Sequence, residues 1–148
     1  YDSKVMIVPG TDGRKMSKSY GNTIPLFLTE KQLKKHINKI KTNLLEPGEP
    51  KDPDSSAVFQ IWKAFATPEQ TASMRDEFAN GIAWGEAKKQ LFELVNSQLA
   101  EARERYEMLM QNPTEIEKIL QQGAEKARTE SQMMIAKLRH AVGIRPLA

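Results

Sequence analysis

Lys15, Met16, Ser17, Lys18 and Ser19 form a compact run of cations and hydroxyls, and they sit inside the longer stretch Gly10-Thr-Asp-Gly-Arg-Lys-Met-Ser-Lys-Ser-Tyr-Gly-Asn-Thr23. Two flexible ammonium groups can follow phosphate oxygens as mobile point charges. Two serine hydroxyls add donors. Gly10 and Gly13 let the backbone take angles that side-chained residues avoid, so the chain can fold closely around a ligand. Phosphoryl chemistry is catalysed mainly by positioning and by charges matched to the transition state, and a lysine loop of this kind is equipped to do that. The stretch is not a Walker A loop, since Lys15 stands where G-x-x-x-x-G-K-[ST] needs glycine. On charge and glycine alone, a solvated basic turn accounts for the same residues.

Such a loop has to be held by regular elements. Val5-Met-Ile-Val8 has the β-branched, apolar character of a buried strand, and a strand leading into a glycine-rich loop is where α/β proteins place phosphates. Beyond Phe27 the pattern turns helical. Thr29-Glu-Lys-Gln32 reads as a capping box opening a helix to about Thr42, with Leu33, Ile37 and Ile40 on one face. The proline-rich stretch from Glu46 to Pro53 reads as a loop. Ser55 or Ser56 opens a helix through Phe59, Trp62 and Phe65; Thr67-Pro68 opens another through Met74 and Phe78, ended by Gly81 in a left-handed cap. A long helix from about Trp84 to Gln111 carries Leu91, Val95, Leu99, Ala102, Tyr106 and Met110. Asn112-Pro113 starts the last one, with Ile116, Leu120, Ala124, Ala127, Met134 and Leu138 in a stripe that stops at Gly143. The two long helices are expected to pair as an antiparallel hairpin. The expected class is mainly α: a helical bundle over 28–148, preceded at 1–27 by a short α/β remnant.

Other residues with chemical potential are balanced by structural roles. Lys31, Lys34, Lys35, Lys39 and Lys41 make a basic stripe suited to RNA phosphates, or simply to solvent. Trp84, between Gly81 and Gly85, suits base stacking but more commonly staples a helix start. Glu86 falls in a first turn, where the helix dipole favours a carboxylate. Phe59 and Trp62 read as core. Arg103 and Arg105 have acids nearby for i, i+4 pairs. Glu49, Asp52 and Asp54 lack the spacing of a calcium loop and read as caps. Lys137, Arg139, His140 and Arg145 complement the last helix's dipole.

The composition narrows the classes further. The formal charge of +3 over 148 residues creates no global field for polyanions, and the absence of cysteine excludes disulfides and thiolate metal sites. No apolar run approaches the ~20 residues of a membrane helix. The opening Tyr1-Asp-Ser-Lys4 reads as a cut inside a larger protein.

Lys15-Met16-Ser17-Lys18-Ser19 matches the KMSKS signature of class I aminoacyl-tRNA synthetases. The wider stretch from Gly10 to Phe27 resembles the tryptophanyl-tRNA synthetase family. So do Lys51-Asp-Pro-Asp54 followed by Phe59-Gln-Ile-Trp62, and Gly81-Ile-Ala-Trp-Gly-Glu-Ala-Lys-Lys89, in that order along the chain. The resemblance implies that residues 15–19 close over ATP, delivered as Mg-ATP, and that Lys15 and Lys18 contact the triphosphate as pyrophosphate leaves. It implies no metal held by the chain itself. It implies a cytoplasmic ligase charging tRNA(Trp) with tryptophan, no membrane attachment, and a helical domain that reads the anticodon. The tyrosyl relatives and a non-catalytic RNA-binding module are the alternatives. The family's second ATP signature, of His-x-Gly-His type, fits neither His36 nor His140, and its amino-acid pocket lies upstream; the chain therefore resembles a C-terminal part. The family is homodimeric largely through its catalytic domain, which leaves a monomer open for this part. The isolated chain is accordingly expected to give no turnover in ATP–pyrophosphate exchange, the assay that checks this reading.

Overall fold

A computed structural model describes residues 7–144. Five α-helices follow one 3₁₀ turn at Lys18–Tyr20: α1 (Glu30–Asn38), α2 (Ala57–Phe65), α3 (Pro68–Ala79), α4 (Trp84–Gln111) and α5 (Pro113–Ala141). The class is mainly α, as the periodicity implied. Two compact units divide the chain between Glu104 and Arg105. Among the described residues no helix is long and apolar enough to cross a membrane.

The start signals act as their chemistry requires. Thr29 and Thr67 each accept a hydrogen bond from the N3 backbone N–H, and in return Oε1 of Gln32 and of Gln70 accepts from the cap residue's own N–H. Ser56 caps α2 through the N–H of Phe59. Pro113 occupies the first turn of α5, where its missing N–H costs nothing. α1 stops at Asn38, short of the Thr42 that spacing suggested. The N–H groups of Lys39 and Ile40 tighten onto the carbonyls of His36 and Ile37. That turn buries Ile40 and frees the Lys41 N–H to donate to the Thr11 carbonyl at 2.8 Å. The helix gives up a turn to hold the lysine loop.

One core joins α1 to α4 in the first unit. Leu33, Ile37, Phe59, Phe78, Ala87 and Leu91 are at most 1% exposed, each large side chain contributing roughly 1.5–3 kcal/mol. Phe59 meets Phe78 edge-on at 5.4 Å, and Phe78 meets Trp84 at 5.6 Å. Lys51 is also buried, at 3% exposure. Its ammonium donates to the Glu46 and Glu49 carbonyls at 2.8 and 2.9 Å and lies 5.6 Å from the Trp84 ring. The backbone polar groups of the proline loop are thereby satisfied against the core.

Three expectations change. Val5 and Met6 lie outside the described residues, while Ile7 and Val8 are exposed rather than in a buried strand. The pairing beside them is one isolated antiparallel bridge, between Pro9 and Lys15. A ladder needs a neighbouring strand, and among the described residues there is none. On α4, Leu91 and Val95 are buried, but Ala102, Tyr106 and Met110 are exposed. α5 buries no residue, and its stripe of Leu120, Met134 and Leu138 stands exposed.

Gly81 ends α3 at φ +83°, and a Cβ there would meet the Gly48 carbonyl carbon at 2.4 Å. The two residues are tied by a Gly48 N–H to Gly81 carbonyl bond of 2.8 Å. Gly81→Ala is expected to cost about 2 kcal/mol or more, from positive-φ strain plus a backbone clash; urea denaturation checks this, with Gly85→Ala, in open space, as the control.

Candidate functional site

Residues 10–22 fold back on themselves. The Gly10 N–H donates to the Arg14 carbonyl at 2.7 Å and the Gly13 N–H to Gly10 at 3.0 Å, with Gly13 at φ +83°. The Met16 N–H reaches the Val8 carbonyl at 3.0 Å. Ser17 caps the 3₁₀ turn by accepting from the Ser19 N–H, and Gly21, at φ +62°, ends it. Gly13 and Gly21 thus use the freedom that glycine brings. Gly10 is needed for room instead: a Cβ there would lie 2.3 Å from the Asn22 side chain.

Asn22 is the centre of this arrangement and is only 2% exposed. Its Oδ1 accepts from the Ser17 N–H at 2.8 Å. Its Nδ2 donates to Asp12 Oδ1 at 2.7 Å and to the Lys15 carbonyl at 3.2 Å. Asp12 also accepts from the Arg14 N–H at 3.0 Å and from Arg14 Nε at 2.7 Å. The Arg14 guanidinium then lies 4.5 Å from the centroid of the Tyr20 ring. Arg14 is therefore committed. The ammonium groups of Lys15 and Lys18 are exposed, and among the described residues neither makes an ion pair or hydrogen bond.

Met16 lies on the other side of the loop. With Val8, Ile24, Ile37, Phe65 and Leu99 it lines an apolar cavity of about 210 Å³. The run 15–19 is thus two-faced, with methionine toward the helices and the lysines toward solvent.

The remaining candidates take structural roles. Trp84 donates from Nε1 to Asn43 Oδ1 at 3.1 Å and packs on Phe78, so it staples the start of α4. Trp62 is buried and donates to the Gln70 carbonyl at 3.3 Å. Glu86 pairs with Lys89 at 3.6 Å in the first turn of α4. Asp54 takes Arg75 in a two-pronged pair at 2.9 and 3.0 Å. Arg103 binds Asn96 at 2.9 Å instead of an acid. Lys31, Lys34, Lys35 and Lys39 are all exposed, and the Lys34 ammonium lies 5.7 Å from the centroid of the Phe92 ring. Among the described residues no three acids or histidines gather into a metal site.

Residues 3–140 match the family model of the tRNA synthetases class I (W and Y). The chain belongs to that family. It is 57% identical to the tryptophan–tRNA ligase of Neisseria meningitidis serogroup A, over 99% of this chain and 44% of that protein. Against the Pseudomonas aeruginosa tryptophan–tRNA ligase the identity is 55%, over 99% of this chain and 33% of the relative. The chain thus spans less than half the length of these curated relatives. Among solved structures it resembles the tryptophanyl-tRNA synthetase of Campylobacter jejuni complexed with ADP and tryptophan, with a TM-score of 0.84 and 40% identity over 96% of this chain and 45% of that one.

Sequence reasoning about this synthetase loop found its lysines and missed its support. Asn22 and Asp12 are not singled out by that reasoning, although Asn and Asp beside glycine are the residues that bond back onto a turn backbone. The hydrogen bond from Asn22, with help from Arg14, lowers the Asp12 carboxyl from 3.8 to about 2. A depressed carboxyl pKa stabilises the fold above its unfolded value and loses that contribution as pH falls through the folded one. The Asp12 contacts should persist above pH 3.8 and be lost as pH falls through about 2. A carbon-detected NMR titration of the Asp12 carboxyl checks this; a midpoint at the ordinary aspartate value would contradict the bonding described.

Proposed function

We propose that this chain is the part of a tryptophan–tRNA ligase that carries its mobile ATP loop and its tRNA-reading helices. In this reading residues 1–27 end the catalytic domain and residues 28–148 form the anticodon-binding domain. The complete enzyme is a cytoplasmic homodimer whose tryptophan pocket lies outside this chain. It joins tryptophan to ATP as tryptophanyl-adenylate, releasing pyrophosphate, and then transfers the tryptophan to tRNA(Trp).

The observation that carries the reading is the pair of uncommitted ammonium groups on a braced loop, in a chain 57% identical to a tryptophan–tRNA ligase. The resemblance to the Campylobacter jejuni enzyme complexed with ADP and tryptophan supports a nucleotide as a ligand of the complete enzyme. When the tryptophan carboxylate attacks the α-phosphorus, negative charge builds on the departing pyrophosphate. Lys18 and Lys15 answer that charge electrostatically, while the Ser17 and Ser19 hydroxyls and the backbone around Met16 line the triphosphate. Magnesium arrives with ATP and is not held by this chain's carboxylates. The exposed Lys31, Lys35 and Lys39 of the α1 region supply charge for tRNA phosphates.

Lys18→Ala in the complete enzyme is expected to lower the ATP–pyrophosphate exchange rate by ~10²–10³, the usual effect of removing one preorganised charge donor. Binding of tRNA(Trp) should be little changed, because Lys18 lies outside the helical stripe. Stopped-flow adenylate formation and filter binding measure the two arms. An exchange rate equal to the parent's would overturn the assignment.

A further inference from the structure

We propose, on the reading of residues 15–19 as the ATP loop, that Asn22 is a positioning residue which grips the backbone on both sides of Met16 and so sets where Lys15 and Lys18 project. A single side chain makes the contacts: Oδ1 takes the Ser17 N–H, and Nδ2 reaches the Lys15 carbonyl and Asp12 Oδ1. All of them are made from a site 2% exposed to solvent. The fit leaves no space at Gly10, where a Cβ would meet both the side chain and the carbonyl oxygen of Asn22. Asn22 also ties the loop to itself through its carbonyl, which accepts from the Thr11 N–H at 2.9 Å. Thr11 in turn accepts from Lys41 past the end of α1.

Asp12 completes the device. Its carboxylate receives Asn22 and the Arg14 guanidinium together. Arg14, so held, also lies against the Tyr20 ring. Because the clamp holds backbone and leaves the ammonium groups alone, it fixes their origin without restricting their reach. Preorganisation of this kind raises the rate of a charge-stabilised step by sparing reorganisation when the substrate arrives.

The test uses the complete enzyme and two readouts. The first is trypsin cleavage after Arg14, Lys15 or Lys18 without nucleotide, which requires the loop to open. The second is ATP–pyrophosphate exchange. Asn22→Ala is expected to speed cleavage at least ~10-fold and slow exchange about 10–100-fold, the effect of losing one or two net hydrogen bonds. The KM for tryptophan should stay within about two-fold. Asn22→Asp keeps the volume but turns an acceptor toward the Asp12 carboxylate and the Lys15 carbonyl, so it should rescue neither readout. Asp12→Ala, at a more exposed position, serves as a second variant should Asn22→Ala fail to fold, and should also speed cleavage. Unchanged cleavage in the folded variants overturns the clamp. Faster cleavage with exchange at the parent rate overturns the positioning role. Lys18→Ala at full rate overturns the ATP-loop reading instead, and the cleavage arm still decides the clamp.

Discussion

The first unit converges on Phe78. Its ring is fully buried and meets Phe59 from α2 and Trp84 from α4 edge-on, so it locks three helices at one point. Its carbonyl does as much. It accepts from the Lys51 N–H at 2.9 Å and from the Gly81 N–H at 3.1 Å, binding the proline loop and the α3 exit to the same residue. Apolar burial and backbone satisfaction are usually separate constraints on a fold; here one residue meets both. The buried Lys51 is a consequence, since its ammonium takes up the carbonyls that the proline loop turns inward.

The lysine loop hangs on that core by short attachments. The Lys41 N–H holds the Thr11 carbonyl, and Met16 and Ile24 line the apolar cavity together with Ile37, Phe65 and Leu99. The rest of its order is internal, made by Asn22, Asp12 and Arg14. A loop built this way can move as a unit while its own shape survives. That separation suits the role proposed for the segment, in which its charges meet the departing pyrophosphate.

Much of the fold was legible because its signals are local. Capping boxes at Thr29 and Thr67, proline at the starts of α3 and α5, and glycine at position 81 each act within a turn, and each helix start follows from them. What escaped was set by distant partners. The early end of α1 depends on Thr11, a residue in another segment. The exposed stripe of α5 was invisible because periodicity marks an apolar face without saying what covers it. At the site the same division holds. Lys15 and Lys18 announce themselves by type and spacing, whereas the Asn22 amide acts on the backbone of Lys15 and Ser17, and residue type alone does not say which backbone groups it will reach.

The tight seat of Gly10 against Asn22 has an evolutionary corollary. A side chain at 10 would meet the backbone carbonyl of residue 22 as well as its amide, so a smaller residue at 22 does not by itself make room at 10. Position 10 is therefore held to glycine by its neighbour's main chain, whichever side chain stands at 22.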